Sequence, residues 1–162
     1  MDNLIRVIAR DGSVMCCAVD STKIAGEAER IHKTSATVTA ALGRLLTAGA
    51  MMGSMLKSDE GSLTIQVRGG GPLGAITAVA DAQGNTRGYL QNPAVSLPLR
   101  PDGKLDVGGG VGREGLLTVI KDIGAGEPFS GKVQLRSGEI ACRVRRDEFA
   151  LLLRQQQGET AA

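Results

Sequence analysis

Apolar residues along this chain follow a period that changes twice. Leu4 to Ala9 is a β-rich run, Asp11-Gly12 is a hairpin turn signal, and Val14 to Val19 is a second run. Asp20-Ser21-Thr22 then supplies N-cap chemistry for a helix through about Ile31, with Glu27 and Glu29 on its exposed side. Thr34-Ser35 predicts the cap of a second, apolar helix. That helix ends near Lys57, a cation suited to a helix C-terminus, and Asp59-Glu60-Gly61 breaks the pattern. From Leu63 the period becomes two. Leu63-Thr64-Ile65-Gln66-Val67-Arg68 alternates, Gly69-Gly70-Gly71-Pro72 turns, and Ala75 to Ala80 runs on. Asp81 to Asn85 is another turn and Thr86 to Gln91 another strand, followed from Asn92 to Gly112 by an irregular connection rich in Pro and Gly. Leu116 to Ile120 and Lys132 to Leu135 read as further strands. The expected fold class is α+β, antiparallel sheets with a helical insertion between an initial hairpin and the later strands.

The segment from Thr37 to Leu56 is mostly Ala, Leu, Met, Thr and Gly, and its Gly49-Ala50-Met51-Met52-Gly53 string is a close-packing pattern also used in lipid. Arg44 lies near its middle and no basic flank marks a cytoplasmic side, so a buried core helix is expected, with Met51, Met52 and Met55 as core packing. Composition narrows the function classes. At 162 residues the chain is about one domain, long enough to bury a core without disulfides. Lys plus Arg number 19 and Asp plus Glu 17, a net charge of +2 that lacks the electrostatic footprint of a nucleic-acid binder. The aromatics are Tyr89, Phe129 and Phe149 alone, too few for a base-stacking platform. The start, Met1-Asp2-Asn3-Leu4-Ile5-Arg6, has no signal-peptide pattern, so the expected location is the cytoplasm. Cys16, Cys17 and Cys142 form no disulfide framework, and Cys16 and Cys17 are expected as buried small hydrophobes.

Two glycine motifs invite a nucleotide-binding reading. Gly110-Val-Gly112-Arg-Glu-Gly115 matches G-x-G-x-x-G, but a dinucleotide site needs those glycines to follow a strand and open a helix. Here Leu116-Leu117-Thr118-Val119-Ile120 follows, which favours a strand. Gly126-Glu-Pro-Phe-Ser-Gly131-Lys132 approaches a P-loop, yet Val133 stands where the Mg²⁺-binding hydroxyl belongs. Both are expected as turns; a small phosphate- or nucleotide-binding enzyme using Gly110–Gly115 or Gly126–Lys132 is the alternative reading. His32, the single histidine, is expected as a helix-end surface residue, with no Gly-x-Ser-x-Gly elbow to make it catalytic. No Cys-x-x-Cys or Cys/His cluster offers a zinc site. The residues name no catalytic, cofactor-binding or metal-binding position, and the chain is not expected to be an enzyme.

Four strings, taken together and in order, carry a resemblance. They are Gln66-Val-Arg-Gly-Gly-Gly-Pro-Leu-Gly74, Gly88-Tyr-Leu-Gln-Asn-Pro93, Gly115-Leu-Leu-Thr-Val-Ile-Lys-Asp122 and Gly131-Lys-Val-Gln-Leu-Arg-Ser-Gly-Glu-Ile-Ala141. The chain from Met1 to Ala141 resembles the N-terminal domain of the heat-shock protein 33 family, the redox-regulated holdase chaperones. The resemblance implies a cytoplasmic, ATP-independent chaperone whose partners are unfolded or aggregation-prone client proteins under oxidative stress, with no nucleic acid and no membrane. It also implies a C-terminal domain whose Cys-x-Cys and Cys-x-x-Cys bind zinc when reduced and release it on oxidation. None of those four cysteines stands in this sequence, so no zinc or switch role passes to Cys16, Cys17 or Cys142, and the expected cofactor content is none. Client-binding residues are not assigned by the motifs.

From Cys142 the chain departs from the family pattern, with Arg143, Arg145, Arg146 and a Gln155-Gln156-Gln157 tract. Codons for Leu151-Leu152-Leu153-Arg154-Gln155-Gln156 can spell Tyr-Tyr-Phe-Ala-Ser-Ser in a shifted frame, closer to the aromatic helix the resemblance implies. The expected organisation is therefore an incomplete chaperone domain over residues 1–141 and a non-family tail over 142–162, from a frameshifted, truncated coding sequence or an artificial one. An uncovered strand edge from Lys132 to Ile140, with at most a short helix from Asp147 to Gln157 over it, makes self-association an expected property.

Overall fold

A computed structural model describes residues 2–124 and 126–135. The expected hairpin is present as β1 (Asn3–Ile8) and β2 (Met15–Asp20), antiparallel with Val7 opposite Cys16 and Leu4 opposite Val19. Two helices follow, α1 (Thr22–His32) and α2 (Ala36–Gly53). The second sheet holds β3 (Ser62–Arg68), β4 (Ile76–Asp81), β5 (Thr86–Leu90), β6 (Leu116–Asp122) and β7 (Phe129–Gln134) in the spatial order β5-β4-β3-β6-β7. Every pairing in it is antiparallel. The fold is α+β, as the sequence pattern implies.

Alternation decides which face of the sheet is covered. Leu63, Ile65 and Val67 of β3 are buried, and their cross-strand partners Ala80, Ala78 and Ile76 share that face. Against it lies α2, whose Val38, Ala41, Leu42, Leu45 and Leu46 are almost fully buried. Small side chains let the helix come close: a Cβ at Gly53 would overlap the Asp81 carbonyl oxygen. The apolar segment is thus a core helix, and among the described residues no helix is long and apolar enough to cross a membrane. Met51 is buried and Met52 packs against the core cluster, in line with their expected role.

Ser35 is the N-cap of α2, as its position implies. Its Oγ accepts from the Val38 N–H at 3.4 Å and donates to the Val95 carbonyl, while its N–H donates to the Pro93 carbonyl at 3.0 Å. One side chain therefore closes the helix start and fastens the long connection over it. Replacing Ser35 with alanine should cost about 1–2 kcal/mol, at the upper end for a cap because the Val95 carbonyl loses its donor too. Urea unfolding with an unchanged m-value would measure it.

Four expectations need correction. The second helix ends at Gly53 with no basic residue in its last turn, so Lys57 lies beyond it and does not serve its dipole. Backbone contact at Gly53 and the Ser54 cap stop the helix a turn early. The irregular connection contains a short helix, α3 (Val107–Val111), made largely of glycine; Asp106 caps it by accepting from the Gly109 N–H at 2.8 Å. Cys16 is exposed and Cys17 half-buried, because the hairpin lies outside the main core. His32 is half-buried rather than a surface residue, with Nε2 3.0 Å from the Gly88 carbonyl oxygen. Among the described residues β7 is an edge strand; the rest of the expected edge to Ile140, Cys142 and the helix over Asp147–Gln157 lie outside the described residues.

Candidate functional site

The polar groups that could perform chemistry are dispersed by the fold. His32 ties the end of α1 to β5 through Gly88, and Cys17 meets Ser54 and Arg6 at the end of α2, so the two do not share a site. Burial raises the Cys17 thiol above its ordinary range, against the smaller opposing effects of Ser54 and Arg6. A thiol held protonated is a poor nucleophile and a slow target of oxidation. Asp11, Asp20 and Asp81 are lowered by hydrogen bonds from Ser13, Thr22 and Asn85, each within its own turn. They organise turns and form no acid–base pair. The described residues bring together no group of three His, Cys, Asp or Glu that could hold a metal ion. Cys16 and Cys17 occupy adjacent strand positions and point to opposite faces, so they do not fit a shared zinc.

The glycine motifs have a structural use. Gly110 lies within α3, Gly112 is its C-cap and Gly115 runs into β6; this stretch packs against the connection between β3 and β4. The Gly71 N–H donates to the Val111 carbonyl at 2.9 Å, Leu73 N–H to Gly110 at 3.0 Å, and Glu114 N–H to Gly69 at 3.2 Å. A Cβ at Gly112 would overlap the Gly69 carbonyl oxygen, and one at Gly115 the Arg68 carbonyl oxygen. Two backbones fill the space a phosphate would need. Gly115 leads into β6 and Gly131 lies within β7, so neither motif opens a helix. The nucleotide-binding alternative loses its geometric basis in both places.

Apolar surface is what remains. On the hairpin, Ile5 and Val7 are 62% and 60% exposed on one face, and Ile8 is 62% exposed on the other. Val14 and Met15 extend this surface at the tip. Between β2 and the two long helices runs an open groove of about 580 Å³, walled by Ala18, Val19, Ala25, Ala40, Gly43 and Met51. On β6 and β7, Phe129 and Val133 are exposed on one face of the sheet and Leu116 and Ile120 on the other. Contiguous exposed apolar patches are uncommon on folded proteins and mark surfaces that bind other apolar surfaces. The sequence carried a signal for the hairpin. Leu4, Ile5, Val7 and Ile8 make β1 apolar on both faces, a pattern that reads as a doubly buried strand unless something leaves it open.

Three comparisons with known proteins agree. A family model described as "Hsp33 protein" matches residues 2–146. The 33 kDa chaperonin of Clostridium perfringens is 49% identical over 141 residues, covering 86% of this chain and 45% of that protein. The 33 kDa chaperonin of Geobacillus kaustophilus is 49% identical over 139 residues, covering 86% of this chain and 47% of its own length. The crystal structure of the 33 kDa chaperonin (heat shock protein 33 homolog) from Thermotoga maritima superposes with a TM-score of 0.83 at 31% identity, over 95% of this chain and 51% of that one. The chain spans about half the length of the relatives it matches.

Proposed function

The chain belongs to the Hsp33 protein family, and from that premise we propose that it acts as an ATP-independent holdase, binding unfolded proteins through exposed apolar surface. One observation carries the reading: the family match runs over residues 2–146 and so includes every described element. The geometry supports it from the other side. Polar side chains are spent on caps and turns, whereas Ile5, Val7, Ile8, Val14 and Met15 stand in solvent. Holding an unfolded chain requires apolar area and no bond-making group, so such a surface suffices without a nucleotide. Its partners are aggregation-prone client chains rather than nucleic acid.

Redox control of this chain is a separate matter. A redox switch needs a thiolate near a resolving thiol or a metal. The half-buried, protonated Cys17 and the oppositely directed Cys16 offer neither. The proposal is therefore a holdase whose activity is set by exposed apolar area and not by oxidation of these residues.

Light scattering of a chemically unfolded client diluted into buffer tests both parts. Reduced chain at a few-fold molar excess should suppress the scattering without nucleotide, and peroxide treatment should change the suppression less than about twofold. Scattering unchanged by the reduced chain would refute the holdase. A large peroxide-dependent gain would make one of the three cysteines a sensor.

A further inference from the structure

The first hairpin shares no ladder with the other sheet; β1 and β2 pair only with each other among the described strands. Polar contacts from Asp2 and Arg6, beside that between Cys17 and Ser54, fasten it. Asp2, just ahead of β1, accepts from the Lys23 N–H at 3.0 Å and from the Ile24 N–H at 2.7 Å, capping the start of α1. Ser21, the N-cap residue by position, makes no side-chain cap bond, so the carboxylate of Asp2 takes over that task from outside the helix. Midway along β1, Arg6 donates to the Ser54 carbonyl at 3.0 Å, at the C-terminal end of α2. An anion sits on one helix's positive end and a cation on the other's negative end, the favourable sign in both cases.

We propose that the β1–β2 hairpin is a strap that opens as a unit separate from the five-stranded sheet, closed by Asp2 on α1 and Arg6 on α2. A two-stranded hairpin by itself is marginally stable in water. Among the described residues its packing on the helices is incomplete, since an open groove of about 580 Å³ lies between β2 and the helices. A missing neighbour on one side forfeits the dispersion contacts that would hold the element down. Segments with few buried apolar contacts and solvent-exposed backbone bonds are those that open at low free energy. By contrast, β3 and β4 are buried along one whole face beneath α2. Opening would add Val19, Thr47 and Met51, which line the groove, to the accessible surface while the main sheet stays folded. The inference rests on the attachment of the hairpin alone and goes beyond the client-binding reading.

Residue-resolved amide hydrogen exchange on the full chain, with no client present, tests it. In the unsubstituted protein the paired amides of β1 and β2 should exchange at least about 100-fold faster than those of β3 and β4. Asp2→Ala and Arg6→Gln should each speed hairpin exchange by a further three- to tenfold or so, leaving β3 and β4 within about twofold. Hairpin amides as protected as those of β3 and β4 would overturn the proposal. So would either variant speeding both sheets in parallel, or leaving hairpin exchange unchanged.

Discussion

Shortening Leu42 to alanine should lower the unfolding free energy by about 3–5 kcal/mol, the largest loss expected of any single core truncation here. Leu42 is fully buried and belongs to the one cluster that joins α2, the inward face of β3 and β4, and α3. Its neighbours are fixed from several directions. Val38 and Leu45 share its helix, Leu73 is itself fully buried, and the close backbone approach at Gly53 prevents α2 from settling into the gap. A site that cannot collapse keeps its cavity, and the cost then exceeds the transfer term alone. For a protein of this size the melting temperature should fall by roughly 10 °C. Calorimetry on the variant checks it. A loss under about 1.5 kcal/mol would mean that α2 is less firmly seated on the sheet than its burial implies.

Replacing Gly112 with alanine should cost about 2–4 kcal/mol and leave nucleotide binding irrelevant to the outcome. Gly112 has φ +90°, a region that L side chains rarely adopt, and a Cβ there would press into the Gly69 carbonyl oxygen and the Gly71 nitrogen. The two penalties add because neither backbone can retreat without breaking the hydrogen bonds from Gly71 and Leu73 to α3. Gly103 is the natural control. It too has positive φ, +75°, but nothing lies within 4 Å of the added carbon. Gly103→Ala should therefore cost only the conformational term, about 1 kcal/mol. Thermal melts of both variants with and without ATP compare the readings. Equal, small losses in the two variants, with ATP raising the melt of the parent only, would restore Gly110–Gly115 as a ligand cradle.

Long-period features were readable from the residues because one physical rule dominated each of them. Alternation in Leu63-Thr64-Ile65-Gln66-Val67 set both the strand and its buried face, and Ser35 before an apolar run set the start of α2. Where two influences compete, sequence reading falls short. A helix over Val107-Gly-Gly-Gly-Val opposes glycine's propensity; it forms because the Asp106 carboxylate caps it and the Gly69–Leu73 backbone bonds to its last residues. The hydrophobicity of β1 and β2 is evident in the sequence, but whether anything covers it is a tertiary fact, and that is why Cys16 reads as a core residue yet stands exposed. His32 was legible as a helix-end residue, not as a bridge, because its partner Gly88 is 56 positions away. The candidate site was the least legible part, for a binding surface made of ordinary apolar residues has no motif. Only its exposure distinguishes it from core.

As a holdase, this chain would hold unfolded protein by apolar contact, without bond-making chemistry or nucleotide. Sedimentation of a labelled client with the reduced chain tests it most directly, using the client once in its unfolded and once in its native form. A faster-sedimenting complex should form with the unfolded client only, unchanged by ATP. A client that sediments alone in both forms, or a complex that appears only when nucleotide is added, would contradict it.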